Sequence, residues 1–200
     1  MAKEKFEILE STCVPLSLEN VDTDQIIPAR FLSATSREGF GDNLFRDWRY
    51  KKSGEINKEF VLNNPRYSGK VLVTGKNFGS GSSREHAVWA IYDYGFRAVI
   101  SSFFADIFMN NSLNNGLLPI VIPEDLLRKL HTMIQDDPSV KVRIDLAEQT
   151  LTLLPDGESV RFAINSYKKE CLLKGLDDID FLLGMKDMIT GYENSKSLAK

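Results

Sequence analysis

Between residues 70 and 122 short apolar runs alternate with helical patterns, and this alternation constrains the fold more than any other feature of the chain. Lys70–Thr74 reads as a strand, Ser83–Gly95 as a helix ended by a glycine, and Arg97–Ser101 as a second strand. Phe104–Asn115 follows as a helix with Gly116 at its end, and Leu117–Ile122 as a third strand. Strands separated by helices of this length imply βαβ units and a parallel sheet. Pro123-Glu124-Asp125 then opens another helix running to about Gln135, with proline at a tolerated first position.

The flanks follow other patterns. Residues 6–18 read as a strand with irregular ends, and Asp22 or Thr23 caps a short helix that Pro28 stops. Val140–Ile144 and Gln149–Leu154 alternate with period two, predicting a hairpin, and Pro155-Asp156-Gly157 turns into a strand over Ser159–Ile164. Ser166–Lys174, closed by Gly175, and Asp178–Tyr192, interrupted at Gly184, form a helical extension over residues 165–200, with Glu193–Lys200 frayed. Residues 33–68 are the least regular part, with Phe40, Phe45, Trp48, Tyr50 and Tyr67 among polar residues and glycines. A long aromatic-bearing connection in a compact domain is usually a binding loop, a lid or a partner surface. The expected architecture is a single α/β domain over 1–200 with a mixed parallel and antiparallel sheet rather than a doubly wound one.

Bulk properties narrow the class. The 200 residues are 42% hydrophobic, which suits one domain with a real core. The net charge of −3 offers no basic surplus for nucleic acid or an anionic membrane. The apolar runs are far shorter than the roughly 18–20 residues of a membrane span. The charged start Met1-Ala2-Lys3-Glu4-Lys5-Phe6 lacks a signal-peptide hydrophobic region, so a cytoplasmic protein is expected. The two cysteines, Cys13 and Cys171, match no zinc or redox spacing and read as ordinary thiols. They also fall short of the local set of cysteines that holds an iron–sulfur cluster.

The chemistry concentrates in Asn77-Phe78-Gly79-Ser80-Gly81-Ser82-Ser83-Arg84-Glu85-His86, where a strand turns into a helix. Such a turn offers unpaired backbone N–H groups and the positive end of a helix dipole, and an arginine there grips a carboxylate by two parallel hydrogen bonds. A P-loop needs Gly-Lys followed by Ser or Thr, but Gly75-Lys76 is followed by Asn77. A dinucleotide fingerprint needs glycine where Arg84 stands. A hydrolase elbow frames its serine as Gly-x-Ser-x-Gly, which Ser82 and Ser83 do not satisfy, and His86 lies badly for a base. Carboxylate recognition is left, with Ser82 or Ser83 as an acid–base group whose alkoxide a guanidinium and a helix N-terminus stabilise. Removing a proton beside a carboxylate also needs an electrophile, and the chain offers no metal site to supply one. The turn reads as half of an active site.

Three motifs together resemble a known family. They are Asn20-Val21-Asp22-Thr23-Asp24-Gln25-Ile26-Ile27-Pro28, the 77–87 turn, and Ser102-Phe103-Phe104-Ala105-Asp106-Ile107-Phe108 with Asn114-Asn115-Gly116-Leu117-Leu118-Pro119. With the Gly39-Phe40-Gly41 and Asp47-Trp48-Arg49 loop and the Cys171–Asp177 tail, they resemble the small subunits of 3-isopropylmalate dehydratases, within the aconitase superfamily. The likeness covers nearly the whole chain, whereas the turn alone marks only the superfamily. It implies a swivelling β/β/α domain resembling the last domain of aconitase, and a separate large subunit carrying a [4Fe–4S] cluster on three cysteines. The implied reaction dehydrates 2-isopropylmalate to 2-isopropylmaleate and rehydrates it to 3-isopropylmalate, a small dicarboxylate. By position Ser82 resembles the alkoxide base, and Ser83 and Arg84 the carboxylate-binding pair. Glu85 and His86 resemble braces of the turn, Asp106 reads as structural, and Asp22, Thr23 and Asp24 either line the cleft or hold the first helix against the turn. Arg30 and Arg37 fall in a stretch that shapes the pocket for the substrate's alkyl group. Ser80 departs from the cysteine common in the family, a swap of small residues. Related hydratases acting on homoaconitate, citramalate or dimethylmaleate, and a non-catalytic anion-binding module, are the alternative readings.

Overall fold

A computed structural model describes residues 4–32, 39–186, 188, 190 and 192. The position of Arg37 and the tail Glu193–Lys200 lie outside the described residues. Strands β1 (Ile8–Leu16), β2 (Val71–Thr74), β3 (Ala98–Ser101), β4 (Leu118–Val121), β5 (Lys141–Asp145), β6 (Thr150–Leu153) and β7 (Ser159–Arg161) form one sheet in the order β4-β3-β2-β1-β5-β6-β7. The helices are α1 (Thr23–Ile26), α2 (Arg46–Arg49), α3 (Glu85–Asp93), α4 (Asp106–Asn114), α5 (Glu124–Asp136), α6 (Ser166–Lys174) and α7 (Asp178–Gly184).

Strand β1 is the seam. Its first half, Ile8–Thr12, pairs antiparallel with β5, and its second half, Cys13–Leu16, pairs parallel with β2. The expected mixed sheet is therefore one sheet whose character switches at the middle of one strand. On the parallel side β2, β3 and β4 are joined by α3 and α4 in right-sized crossovers. Every residue of β2 and β3 is buried, because successive side chains enter two different cores. Val71, Val73, Ala98 and Ile100 pack with Leu127, Leu130 and Ile134 of α5. Leu72 and Val99 pack on the other face with Val88 and Ile91 of α3 and Phe108 of α4. On the antiparallel side β5 alternates exposed and buried positions, so only one face is covered.

Several boundaries differ from the sequence expectation. Helix α3 begins at Glu85, not Ser83, so the serine pair precedes the helix; its N-cap is Arg84, which makes no side-chain cap. Helix α4 begins at Asp106 rather than Phe104, because Phe104 pairs its backbone with Phe78. Strand β7 stops at Arg161. Helix α6 matches the expected span and ends on Gly175 in the left-handed region at φ 68°. In the irregular stretch, the described residues 39–68 fold their rings inward: Phe45 is fully buried, stacked on Trp48 and edge-on to Phe60. Burial of Phe40, Leu44 and Phe45 in the same core as Leu72, Val88 and Phe108, with Trp48 and Phe60 packed against it, makes this stretch part of the α3–α4 face rather than a free loop.

Both cysteines are free and buried. Burial of Cys13 in β1 pushes its thiol up to about 12. Among the described residues no helix is long and apolar enough to cross a membrane.

Candidate active site

The turn after β2 is built almost entirely from backbone held by distant segments. Asn77 N–H donates to Phe103 C=O at 2.9 Å, and Ala105 N–H to Phe78 C=O at 3.2 Å, which ties the turn to the end of β3. Phe78 is fully buried and meets the rings of Phe104 and Phe108 edge-on. Gly79 has φ 78°, and a Cβ there would sit 2.2 Å from the Phe108 ring, so both its conformation and its surroundings demand glycine. On the other side, Gly79 N–H donates to Val21 C=O at 2.8 Å and Thr23 N–H to Ser80 C=O at 2.9 Å. The segment leading into α1 thus runs beside the turn as a short parallel bridge, Asp22 to Ser80.

Ser82 and Ser83 are exposed at the crest of this turn. Arg84 follows as the N-cap of α3, and its guanidinium makes an ion pair with Asp24; the arginine side chain is 15% exposed and the aspartate 55%. Asp24 engages only Nη1, and a guanidinium carries five N–H donors, so the fork retains donors for a further carboxylate. Beyond it, the first turn of α3 contributes the positive end of a nine-residue helix. The arrangement puts two free-standing hydroxyls, a cation and a helix N-terminus on one exposed edge at the carboxyl ends of the parallel strands. In open α/β sheets that edge is where ligands bind.

The three acidic and hydroxyl candidates of the first motif take separate places. Asp22 caps α1 in a reciprocal box with Gln25, at 2.8 and 2.9 Å. Thr23 is 2% exposed, and its hydroxyl donates to the Ser82 carbonyl at 2.9 Å. Asp24 is the most exposed of the three, paired with Arg84, while Asp22 is half-buried. All three touch the turn or its helix, so the motif and the turn form one unit although they are 59–60 residues apart in sequence.

Glu85 and His86 lie behind the crest. Glu85 accepts from Asn115 Nδ2 at 2.9 Å and Trp89 Nε1 at 3.3 Å, joining the start of α3 to the end of α4. The His86 ring packs on Trp89 at 4.4 Å and against Phe40 at 5.5 Å. Asp106 is the exposed first residue of α4. Arg30 is turned toward α2, where its guanidinium forks onto Asp47. The hydrogen bonds and charge of Arg30 hold the Asp47 carboxyl below its ordinary range. Asn115 and Phe108 stand in motifs that carry the resemblance, but their contacts with Glu85 and with Gly79 join separate elements, for which a lone sequence carries no local signal.

A seam-switched α/β sheet with a Gly-x-Gly-Ser-Ser-Arg turn at its parallel edge defines a C-terminal domain of the aconitase type, and residues 3–125 match the aconitase C-terminal domain family. Similarity extends over the remainder. The chain is 56% identical over 193 residues, 96% of its length and 94% of the relative's, to the 3-isopropylmalate dehydratase small subunit of Christiangramia forsetii. It is 58% identical over 96% of its length to the corresponding subunit of Azobacteroides pseudotrichonymphae, covering 98% of that protein. A crystal structure of 3-isopropylmalate dehydratase from Methanocaldococcus jannaschii superposes with a TM-score of 0.66 at 28% identity, covering 92% of this chain and 99% of that one. The chain belongs to the 3-isopropylmalate dehydratase small-subunit family.

Proposed function

We propose that this chain is the small subunit of a 3-isopropylmalate dehydratase, a hydro-lyase that works only with its large subunit and serves leucine biosynthesis in the cytoplasm. The observation that carries the reading is the Ser82-Ser83-Arg84 crest, with both serines exposed beside the largely covered guanidinium, in a chain 56–58% identical to such subunits. Arg84 receives a substrate carboxylate by parallel N–H bonds, and the Ser83 hydroxyl adds a further one. Ser82, as alkoxide, takes the proton from the carbon beside that carboxylate while the hydroxyl leaves the neighbouring carbon, giving 2-isopropylmaleate. Return of the proton to the other carbon, with water adding at the first, gives 3-isopropylmalate. The guanidinium and the α3 N-terminus favour the alkoxide, and exclusion of water by the partner strengthens both effects.

An electrophile must come from elsewhere. A [4Fe–4S] cluster on the large subunit supplies Lewis-acid polarisation of the leaving hydroxyl and a carboxylate. This chain's own donors do not suit such a cluster: the two cysteines are buried in β1 and α6, and no group of three or more His, Cys, Asp or Glu side chains among the described residues is arranged to hold a metal ion.

The test is co-expression of this chain with its large subunit, assayed on 2-isopropylmalate and a panel of 2-alkylmalates, against each subunit alone. Turnover by the pair only, with preference for the isopropyl compound, is expected. Turnover by this chain alone, or a preferred substrate other than 2-isopropylmalate, would contradict the reading.

A further inference from the structure

Ser82 lies outside any helix, on an exposed crest, so its position depends on what holds its backbone. Three bonds from Val21 and from Thr23, the first residue of α1, reach the crest. Two are main chain to main chain: Gly79 N–H to Val21 C=O at 2.8 Å, and Thr23 N–H to Ser80 C=O at 2.9 Å. Any residue at position 23 with a backbone N–H supplies the second. The third alone depends on a side chain, the Thr23 hydroxyl donating to the Ser82 carbonyl at 2.9 Å, and it is the one that reaches the reactive residue itself. Thr23 is buried, so water does not readily replace that donor. Its β-branched side chain has few rotamers, which fixes the hydroxyl.

We propose that Thr23 is a positioning residue for Ser82: its hydroxyl sets the height of the serine over the substrate carbon, while Arg84, held separately by Asp24, sets carboxylate binding. This inference rests on the assignment of Ser82 as the base. It separates two effects that a general loosening of the turn would merge. Displacing a reacting group by about 1 Å costs roughly 10²-fold in rate, whereas the carboxylate clamp stays in place.

The test uses the reconstituted two-subunit enzyme with Thr23→Val, which keeps the shape and removes the donor, and Thr23→Ser, which restores it. Ser82→Ala is run in parallel, and rates are normalised to assembled, folded complex. Thr23→Val should lower kcat by roughly 10–100-fold with KM within about threefold, and Thr23→Ser should recover kcat to within about threefold of the parent. A kcat for Thr23→Val within twofold of the parent would overturn the proposal, as would equal losses in the Val and Ser variants. Full turnover by Ser82→Ala would instead remove the base assignment on which the proposal stands.

Discussion

The two halves of the sheet meet at β1 and solve different problems. On the parallel side, β2 and β3 bury every residue between two cores, and the loops at their carboxyl ends are pinned by backbone bonds to segments far away in sequence. On the antiparallel side, β5 and β6 alternate and cover one core only, and local turns join β5 to β6 and β6 to β7. The exposed serines and the arginine sit on the first kind of support. A strand buried on both faces cannot tilt or slip without opening two cores, so the turn that leaves it is held still. The other half stabilises the sheet and carries none of the candidate residues.

Two glycines with nearly equal φ test that contrast. Gly79, on the parallel side, has φ 78° and the Phe108 ring 2.2 Å from an added Cβ; Gly157, between β6 and β7, has φ 73° and open space. Gly79→Ala should cost about 2–5 kcal/mol in urea unfolding, from left-handed strain plus overpacking, and Gly157→Ala only about 1–2 kcal/mol from strain. Equal losses would show that the parallel turn is no better supported than the other. At the crest, Arg84→Lys keeps the charge and loses the fork, so kcat/KM of the assembled enzyme should fall by roughly 10–100-fold.

A smaller effect lies on the α5 face of the parallel half. His131 places Nδ1 3.0 Å from Ser17 Oγ, beside a cavity also lined by Glu19, Lys76, Ser102 and Arg128. Burial holds its pKa below the ordinary 6.5. Below pH 6.5 the unfolded histidine binds a proton that the folded one refuses, so stability is full above that pH and is lost as the pH falls toward the folded value. Melting temperature should therefore drop between pH 7 and 5, and His131→Gln should flatten that drop; the lowered carboxyls of Asp137 and Asp156 act only below about pH 4. The smallest effect belongs to the antiparallel side, where exposed Lys129 of α5 pairs with Asp156 and Glu158. Lys129→Ala should leave the melting temperature nearly unchanged at low salt, and 0.5 M salt should erase any remaining difference.

The same contrast explains what was legible in the sequence. The alternation from Val71 to Val121, the hairpin of β5 and β6, and α6 with its glycine cap all follow from local periodicity, and all formed as expected. The start of α3 did not. Ser82 and Ser83 are favoured N-cap residues, yet the chain bends once more and begins the helix after Arg84, because Thr23 and Val21 hold the turn in another course. The pairing of Arg84 with Asp24 and of Ser82 with Thr23 spans some 60 residues, so local periodicity carries no sign of it; only the family resemblance set Asp22, Thr23 and Asp24 at the cleft or against the turn. The order of residues 39–68 was signalled by their aromatics, but not that Phe45, with Trp48 stacked on it, would enter the core of the α3–α4 face.

The central claim is that Ser82, on this rigid crest, is the base of a reaction completed by another chain. Ser82→Ala in the co-expressed pair measures it most directly. Turnover of 2-isopropylmalate should fall by roughly 10²–10⁴-fold while the two subunits still co-purify and the cluster absorbance is unchanged. Turnover equal to the parent in an intact complex would contradict the account.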